Sequence, residues 1–360
     1  MRTNAVRALL GLALIVAAAG PAFAGSEERK GTNGAFELQI PVGARGTALG
    51  GALGSDVSGV ESIFYNPAGL GLTQTTEALF THTAYFADQK LNYAAVATKL
   101  GNFGVLGFSA KVLSVGDVIV TTEDQPEGTG EIADPTFIVL GGSYGRQFTD
   151  RVTFGFTVNY VNENILNTTA SGVAFDFGVQ YLTGWNGLKF GMTMKNFGPN
   201  MQFHGPGFEF ATQTPGSDPS SSPRITSLTS STFEMPSYFN LSASYNLMSA
   251  SDRKLMFVGS FQNNNFQGDD VRGGLEWSYR NTFALRGSYF GSFHTAFDAA
   301  TQTEGSTSFR GGDDLYSGFA FGAGANVRTG DTGRLGVDFA WRPVRNFFND
   351  TYETGIRFTF

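Results

Sequence analysis

Thr351-Tyr352-Glu353-Thr354-Gly355-Ile356-Arg357-Phe358-Thr359-Phe360 closes the chain in strict alternation. Tyr352, Thr354, Ile356, Phe358 and Phe360 share one parity, and Glu353, Gly355, Arg357 and Thr359 share the other. Successive side chains of a strand point to opposite faces, so one face is aromatic and the other carries charge. About ten residues of this pattern suit a tilted strand crossing a bilayer, with lipid on one side and a polar lumen on the other. Tyr352, Phe358 and the terminal Phe360 are the expected insertion signal for the barrel-insertion machinery of a bacterial outer membrane.

The N-terminus agrees with that address. Residues 1–24 read as a secretory signal: Arg2 and Arg7 start it, Ala8 to Ala19 are apolar, and Ala22-Phe23-Ala24 offers a small-x-small cleavage site. The apolar stretch is shorter than the ~20 residues of a spanning helix, which disfavours a retained anchor. With no Cys, neither a lipid-modified Cys nor a disulfide is available. From Gly25 onward, 22 Lys and Arg stand against 31 Asp and Glu, a net charge of −9, which argues against a nucleic-acid partner. The chain has 35 Phe, 12 Tyr and 48 Gly with only 15% charged residues. Its mean hydropathy is nevertheless near zero. A barrel gives that combination because every second wall residue is polar, whereas helical membrane proteins carry apolar blocks.

Alternation and turn boundaries predict fourteen strands, at 77–86, 90–100, 103–112, 135–148, 152–162, 171–182, 188–197, 236–247, 254–263, 270–280, 282–291, 315–327, 333–342 and 351–360. A secreted β-sandwich array would show the same alternation. Loop lengths separate the two: the long segments 113–134, 198–235 and 292–314 all fall on odd-numbered connections, and every even connection is short. Long loops outside and short turns inside are the asymmetry of an outer-membrane barrel. The expected fold is therefore all-β, a transmembrane antiparallel barrel spanning residues 73–360. Residues 25–72 form an N-terminal segment with a short helical hatch or plug in the lumen.

Parity also sorts the charges. Asp176, Arg272, Glu276, Arg334, Asp338, Glu353 and Arg357 share the non-aromatic parity of their strands and are the expected polar lining of the lumen. An Arg or Lys facing lipid at the midplane costs ~2–4 kcal/mol, so the charged parity must be the inner one. Both signs occur, which favours ion pairs across the lumen over an ion path. Gly residues at inner positions 155, 178, 274, 322, 324, 336 and 355 leave room for an insert. Phe36 to Leu72 is the candidate insert: Ala44, Ala48 and Ala52, with Gly46, Gly50 and Gly54, recur at helical spacing before Asn66-Pro67 stops the helix.

The run Gly50-Gly51-Ala52, Asp56-Val57-Ser58 and Ile63-Phe64-Tyr65-Asn66-Pro67-Ala68-Gly69-Leu70 resembles the N-terminal hatch of the FadL superfamily of outer-membrane proteins. Two further stretches, Gly172 to Tyr181 and Leu188 to Pro199, place a lumenal Asp in a Gly-flanked strand ahead of Lys195-Asn196-Phe197-Gly198, which resembles the PorV/PorQ branch. The resemblance covers roughly residues 40–360, although the Ser/Pro/Gly-rich loop 211–232 has no counterpart in it. It implies a non-enzymatic barrel whose hatch or gate includes Tyr65, Asn66, Pro67, Ala68, Gly69 and Leu70. A PorV-type barrel works in type IX-like secretion, holding or shuttling secreted cargo proteins beside a translocon. The alternative is a FadL-like channel for hydrophobic small molecules. The bland reading of Asn66 to Gly69 is that they only terminate a plug helix.

Catalytic constellations are missing. His82, His204 and His294 lack a Gly-x-Ser-x-Gly or His-x-Ser context, and no Asp-x-His occurs at a loop rim. No Lys-Ser or Lys-Thr follows the glycines of 46–54, so they are not a phosphate loop. Asp269-Asp270 and Asp313-Asp314 could hold a hard cation, but solvated loop carboxylates are the simpler account. No zinc-type ligand spacing, other metal site or cofactor motif is expected, and no catalytic residue is assigned.

Overall fold

A sheet whose two faces differ this sharply must separate two environments, and the chain does so by closing on itself. The computed structural model describes residues 29–360, apart from 186, 214, 215, 217, 219–221, 299–302, 314, 331, 332, 346 and 347. The export signal read over residues 1–24 lies outside the described residues, as does Asp314.

Fourteen strands make the wall. They are β1 (Glu77–Ala84), β2 (Lys90–Leu100), β3 (Gly104–Ser114), β4 (Thr136–Gln147), β5 (Val152–Ile165), β6 (Thr168–Leu182) and β7 (Lys189–Phe197). The second half comprises β8 (Tyr238–Ser249), β9 (Arg253–Asn264), β10 (Asp270–Tyr279), β11 (Phe283–Asp298), β12 (Phe319–Thr329), β13 (Gly333–Arg342) and β14 (Thr351–Thr359). Each pairs antiparallel with the next in chain order. The closing strand β14 pairs with β1 from Glu77↔Thr359 to Ala84↔Tyr352, and the Phe360 N–H donates to Thr76 O at 2.9 Å. Every strand overlaps its expected span, and the long connections lie at one end.

The long connections carry more structure than alternation suggested. Val118–Ile119 pairs with Ile132–Ala133, and Glu209–Thr212 pairs with Arg224–Ser227. Met201–His204 extends the wall beside β6, and β11 runs into a hairpin with Thr303–Gly311. These are short or continuous with a wall strand, so a search for bilayer-length alternation passes over them.

Aromatic and aliphatic side chains coat the outer face: Phe80, Phe108, Phe177, Leu275, Phe321, Val337 and Ile356 are all exposed. The inner face is buried against the N-terminal segment. That segment is a chain of short turns, comprising α1 (Ala44–Ala48), α2 (Ser62–Tyr65) and single 3-10 turns at Phe36–Leu38, Ala52–Ser55, Gly59–Glu61 and Pro67–Leu72. The helical spacing of its small residues persists for only five residues, because Gly50 and Gly51 turn left-handed (φ 65° and 80°) and end α1. Small residues here admit the barrel wall on several sides, not one neighbouring helix. The apolar core is accordingly the seam between segment and wall: Leu49, Leu53 and Val57 meet Met256 and Val258, while Ile63 and Leu70 meet Leu79, Leu91 and Val105.

Candidate functional site: the lumenal segment and the cavity above it

Asn66 organises the turn on which the segment rests. Its backbone is extended between α2 and the following 3-10 turn, and its Oδ1 accepts from the Ala68 N–H at 3.1 Å. Pro67 occupies the first position of that turn, where a missing N–H costs nothing. The Asn66 Nδ2 donates to Gly54 O (2.7 Å) and to Val179 O of β6 (3.2 Å), tying turn, segment and wall together. Gln180 of β6 donates to the same Gly54 carbonyl and to Val57 O. Gly69 leaves no space for a side chain, since a Cβ there would lie 2.3 Å from Val57 O. Leu70 is fully buried, and Tyr65 packs edge-on to Phe64 with centroids 5.0 Å apart.

The wall opposite this turn is notched. A Cβ on Gly155 would lie 2.2 Å from Pro67 backbone, one on Gly178 2.1 Å from Asn66 Oδ1, and one on Gly145 2.5 Å from Leu70 Cβ. Gly322 and Gly274 accommodate Ala48 and Leu49 in the same way on the other side. Gly324 and Gly336 make room for wall side chains instead: Asp338 and Arg286 beside the first, Asn326 and Arg357 beside the second.

Charges hold the side around α1. Arg45 contacts Glu276 at 2.8 Å, and Glu276 also receives Arg286 at 2.7 Å, which reaches Asp338 at 2.6 Å. Arg357 lies 3.5 Å from Glu61, Lys189 pairs with Asp56, and the Gly43 N–H donates to Glu353 at 2.6 Å. Arg272 sits on Asp270 at 2.9 Å. Arg334 has the inner parity but lies exposed at the start of β13. Tyr352, Phe358 and Phe360 are exposed on the outer face, the last two stacked at 6.4 Å.

Asp176 explains the Lys-Asn-aromatic-Gly stretch. The β6–β7 register slips between Phe175 and Phe177, so Lys195 and Asn196 both turn inward. Asn196 takes φ 58°, the left-handed geometry of a bulge. Asp176 accepts the bulged Asn196 N–H at 2.7 Å and Asn159 Nδ2 at 3.0 Å, and lies 3.7 Å from Lys195 Nζ. Lys195, at its regular inner position, donates to Phe64 O and lies 4.0 Å over the Phe64 ring. Lys111 covers the same ring at 4.4 Å and donates to Glu37 O and Ile40 O. Burial, then the charge of Glu163, pushes the Glu37 carboxyl up to about 8. Among these anchors Arg45, Glu61, Lys111 and Glu163 stand outside the sequence motifs, whereas Lys195 belongs to the Lys-Asn-aromatic-Gly stretch. Strand parity reaches Lys111, Glu163 and Lys195, which occupy inner positions of β3, β5 and β7.

A cavity of about 360 Å³ stands on this floor, facing the long connections. Thr47, Gly50, Gly51, Gly54, Phe64 and Tyr65 floor it, and Tyr85, Phe290, Leu315, Tyr316, Arg272 and Arg342 contribute to its sides. Asp269 is engaged by Asn263 and Asn264, and among the described residues no cluster of three His, Cys, Asp or Glu could hold a metal ion.

No family model matches the sequence, and no curated protein matches it. Solved structures do. The CymD monoaromatic hydrocarbon channel superposes with a TM-score of 0.54 at 9% identity, over 89% of this chain and 97% of that one. The P. putida toluene transporter TodX gives 0.53 at 12%, over 88% and 98%. A Pseudomonas aeruginosa FadL homologue gives 0.50 at 12%, over 89% and 97%. At these identities what is shared with these channels is the barrel fold, and the finer PorV/PorQ resemblance is not shown by them.

Proposed function

We propose that the chain is a FadL-like outer-membrane channel for hydrophobic small molecules, with the segment through Leu72 as its hatch. The observation that carries this reading is the cavity: it lies inside the barrel, is lined by aromatic rings and ends on the buried hatch. A solute can be held there and can go further only if the hatch yields, which gives the turn Tyr65–Leu70 its gating role. The superposed structures, a toluene transporter and a monoaromatic hydrocarbon channel, support a small-molecule cargo over a protein one. The signal over residues 1–24 and the aromatic terminus support an outer-membrane address, with lipid and the insertion machinery as partners. The test is uptake of labelled toluene by a deletion strain with and without the restored gene. Uptake that deletion leaves unchanged overturns the reading.

Secretion remains a second reading on one observation. Ile119, Ile132, Phe210 and Ile225 are exposed on the ribbons beyond the wall, where a protein could rest. Crosslinking in cells should then capture a secreted cargo or a translocon barrel, and recovery of lipid alone would end it.

A further inference from the structure

Inside the barrel, Arg45, Arg272, Arg286 and Arg357 each hold a carboxylate. Arg342, at the end of β13, does not. Among the described residues no hydrogen bond or ion pair reaches its guanidinium, and its Nε is buried without an acceptor. The guanidinium instead lies 3.6 Å over the Tyr316 ring and 5.8 Å from that of Phe290, in the side of the 360 Å³ cavity. A guanidinium stacked by its face is held in place and keeps its N–H edge free for a planar acceptor. The neighbouring carboxylates among the described residues, Glu353 included, lie beyond ion-pair distance of Arg342, and Glu353 takes the Gly43 N–H at 2.6 Å. Asp313 accepts the Leu315 and Tyr316 N–H groups at 2.9 and 2.6 Å, and Asp270 is held by Arg272 at 2.9 Å.

The rest of the lining describes the remainder of the ligand. Phe36, Phe64, Tyr65, Tyr85 and Phe290 present rings to the cavity, whereas aliphatic lining is confined to Ile40, Pro41 and Leu315. Side-chain amides at Gln39, Asn240 and Gln262 interrupt the apolar surface, so a long acyl chain would dehydrate them without replacing their hydrogen bonds. An uncharged hydrocarbon would leave Arg342 dehydrated and unpaired. Resting on the channel reading above, we propose that the cavity binds a compact aromatic carboxylate, its ring among these side chains and its carboxylate on the N–H edge of Arg342. Such a ligand fits a cavity at the small end of the ~300–1,000 Å³ that small-molecule sites occupy.

The experiment is equilibrium dialysis of the folded full-length barrel in detergent against labelled phenylacetate, toluene and palmitate. Phenylacetate is expected to bind saturably and about tenfold or more tighter than either competitor. Arg342→Gln should weaken phenylacetate about tenfold or more while leaving toluene within about twofold, because a charge-assisted pair is lost. Heat-modifiable gel migration reports whether the variant is folded. If it is not, the ranking of the three probes on the unaltered protein decides alone. Phenylacetate binding no tighter than toluene, or unchanged in folded Arg342→Gln, overturns the proposal. Toluene uptake in cells without phenylacetate binding ends this inference and leaves the channel standing. Uptake of neither ends both.

Discussion

The two sides of the lumenal segment are held in different proportions by packing and by charge. Around Asn66–Leu72 the fit is steric: backbone and side chains occupy the places where Gly145, Gly155 and Gly178 lack a Cβ. Around α1, Gly322 and Gly274 likewise admit Ala48 and Leu49, but charges are added, through Arg45, Glu276, Arg286 and Asp338 on one line and Glu61 with Arg357 on another. Contact packing is short-ranged and fails abruptly when a methyl group intrudes, because interiors are close-packed. Ion pairs have longer reach and can be exchanged for water or for other ions. On the channel reading proposed above, the Asn66 turn would be the fixed end of the gate and α1 the end that loosens first.

The strongest way to break this comparison is to fill the notch. Gly155→Leu places several carbons where Pro67 lies, so the turn cannot seat while the outer face of β5 is untouched. Planar-bilayer recordings should show a folded barrel with a conductance that the parent lacks. A folded variant that stays closed would mean the turn is not the fixed end. Next in size is Glu276→Gln, which leaves Arg45 and Arg286 facing each other without their shared carboxylate. Removing one partner of a buried pair typically costs about 3 kcal/mol or more. Protease cleavage within residues 43–61 should increase, while cleavage at the Asn66 turn should not. Equal loss at both places would erase the distinction between the two sides.

Sequence made the wall legible to a degree it did not reach for the hatch. A strand such as β14 declares its two faces by parity alone, because lipid and lumen accept different residues at every step. The same rule, applied to β3, β5 and β7, also finds Lys111, Glu163 and Lys195. The partners of those residues were out of reach. Lys195 keeps the inner parity of β7 and reaches Phe64 O, whereas the bulge turns Asn196 inward as well, and a one-residue slip leaves no mark on alternation until Phe197 reappears on the outside. Small residues in 44–54 indicated close approach correctly, but spacing could not say that the neighbours are several strands and not a helix. Arg342 shares the inner parity of β13, yet the absence of an ion pair to it among the described residues depends on where Asp313 and Glu353 spend their oxygens.

The first turn of the segment gives a smaller effect that depends on pH. Glu37 has its ordinary value of 4.5 raised to about 8 by burial, then by Glu163, with Lys111 opposing. The folded state therefore holds a proton that the unfolded chain releases between those values, so this contribution is full below pH 4.5 and is lost as pH rises to about 8. Amide exchange over residues 34–42 should be faster at pH 9 than at pH 6, and Glu37→Gln should flatten the difference. A pH response that survives in Glu37→Gln assigns it to another group.

The smallest change expected is at Lys189, and it marks where the electrostatic side stops mattering. Its side chain is 29% exposed and pairs with Asp56, which Arg45 also reaches at 3.5 Å. Exposed pairs contribute ~0–1 kcal/mol, and here the carboxylate keeps a second cation when the first is removed. Lys189→Gln should leave the melting temperature and the protease pattern of residues 43–61 close to those of the parent. The same substitution at the buried end of the network, Arg286→Gln, should behave like Glu276→Gln because Asp338 then loses its guanidinium. If Lys189→Gln loosens α1 as much as Arg286→Gln does, burial is not what gives the network its hold. Rim charge and interior charge would then have to be treated as one continuous latch.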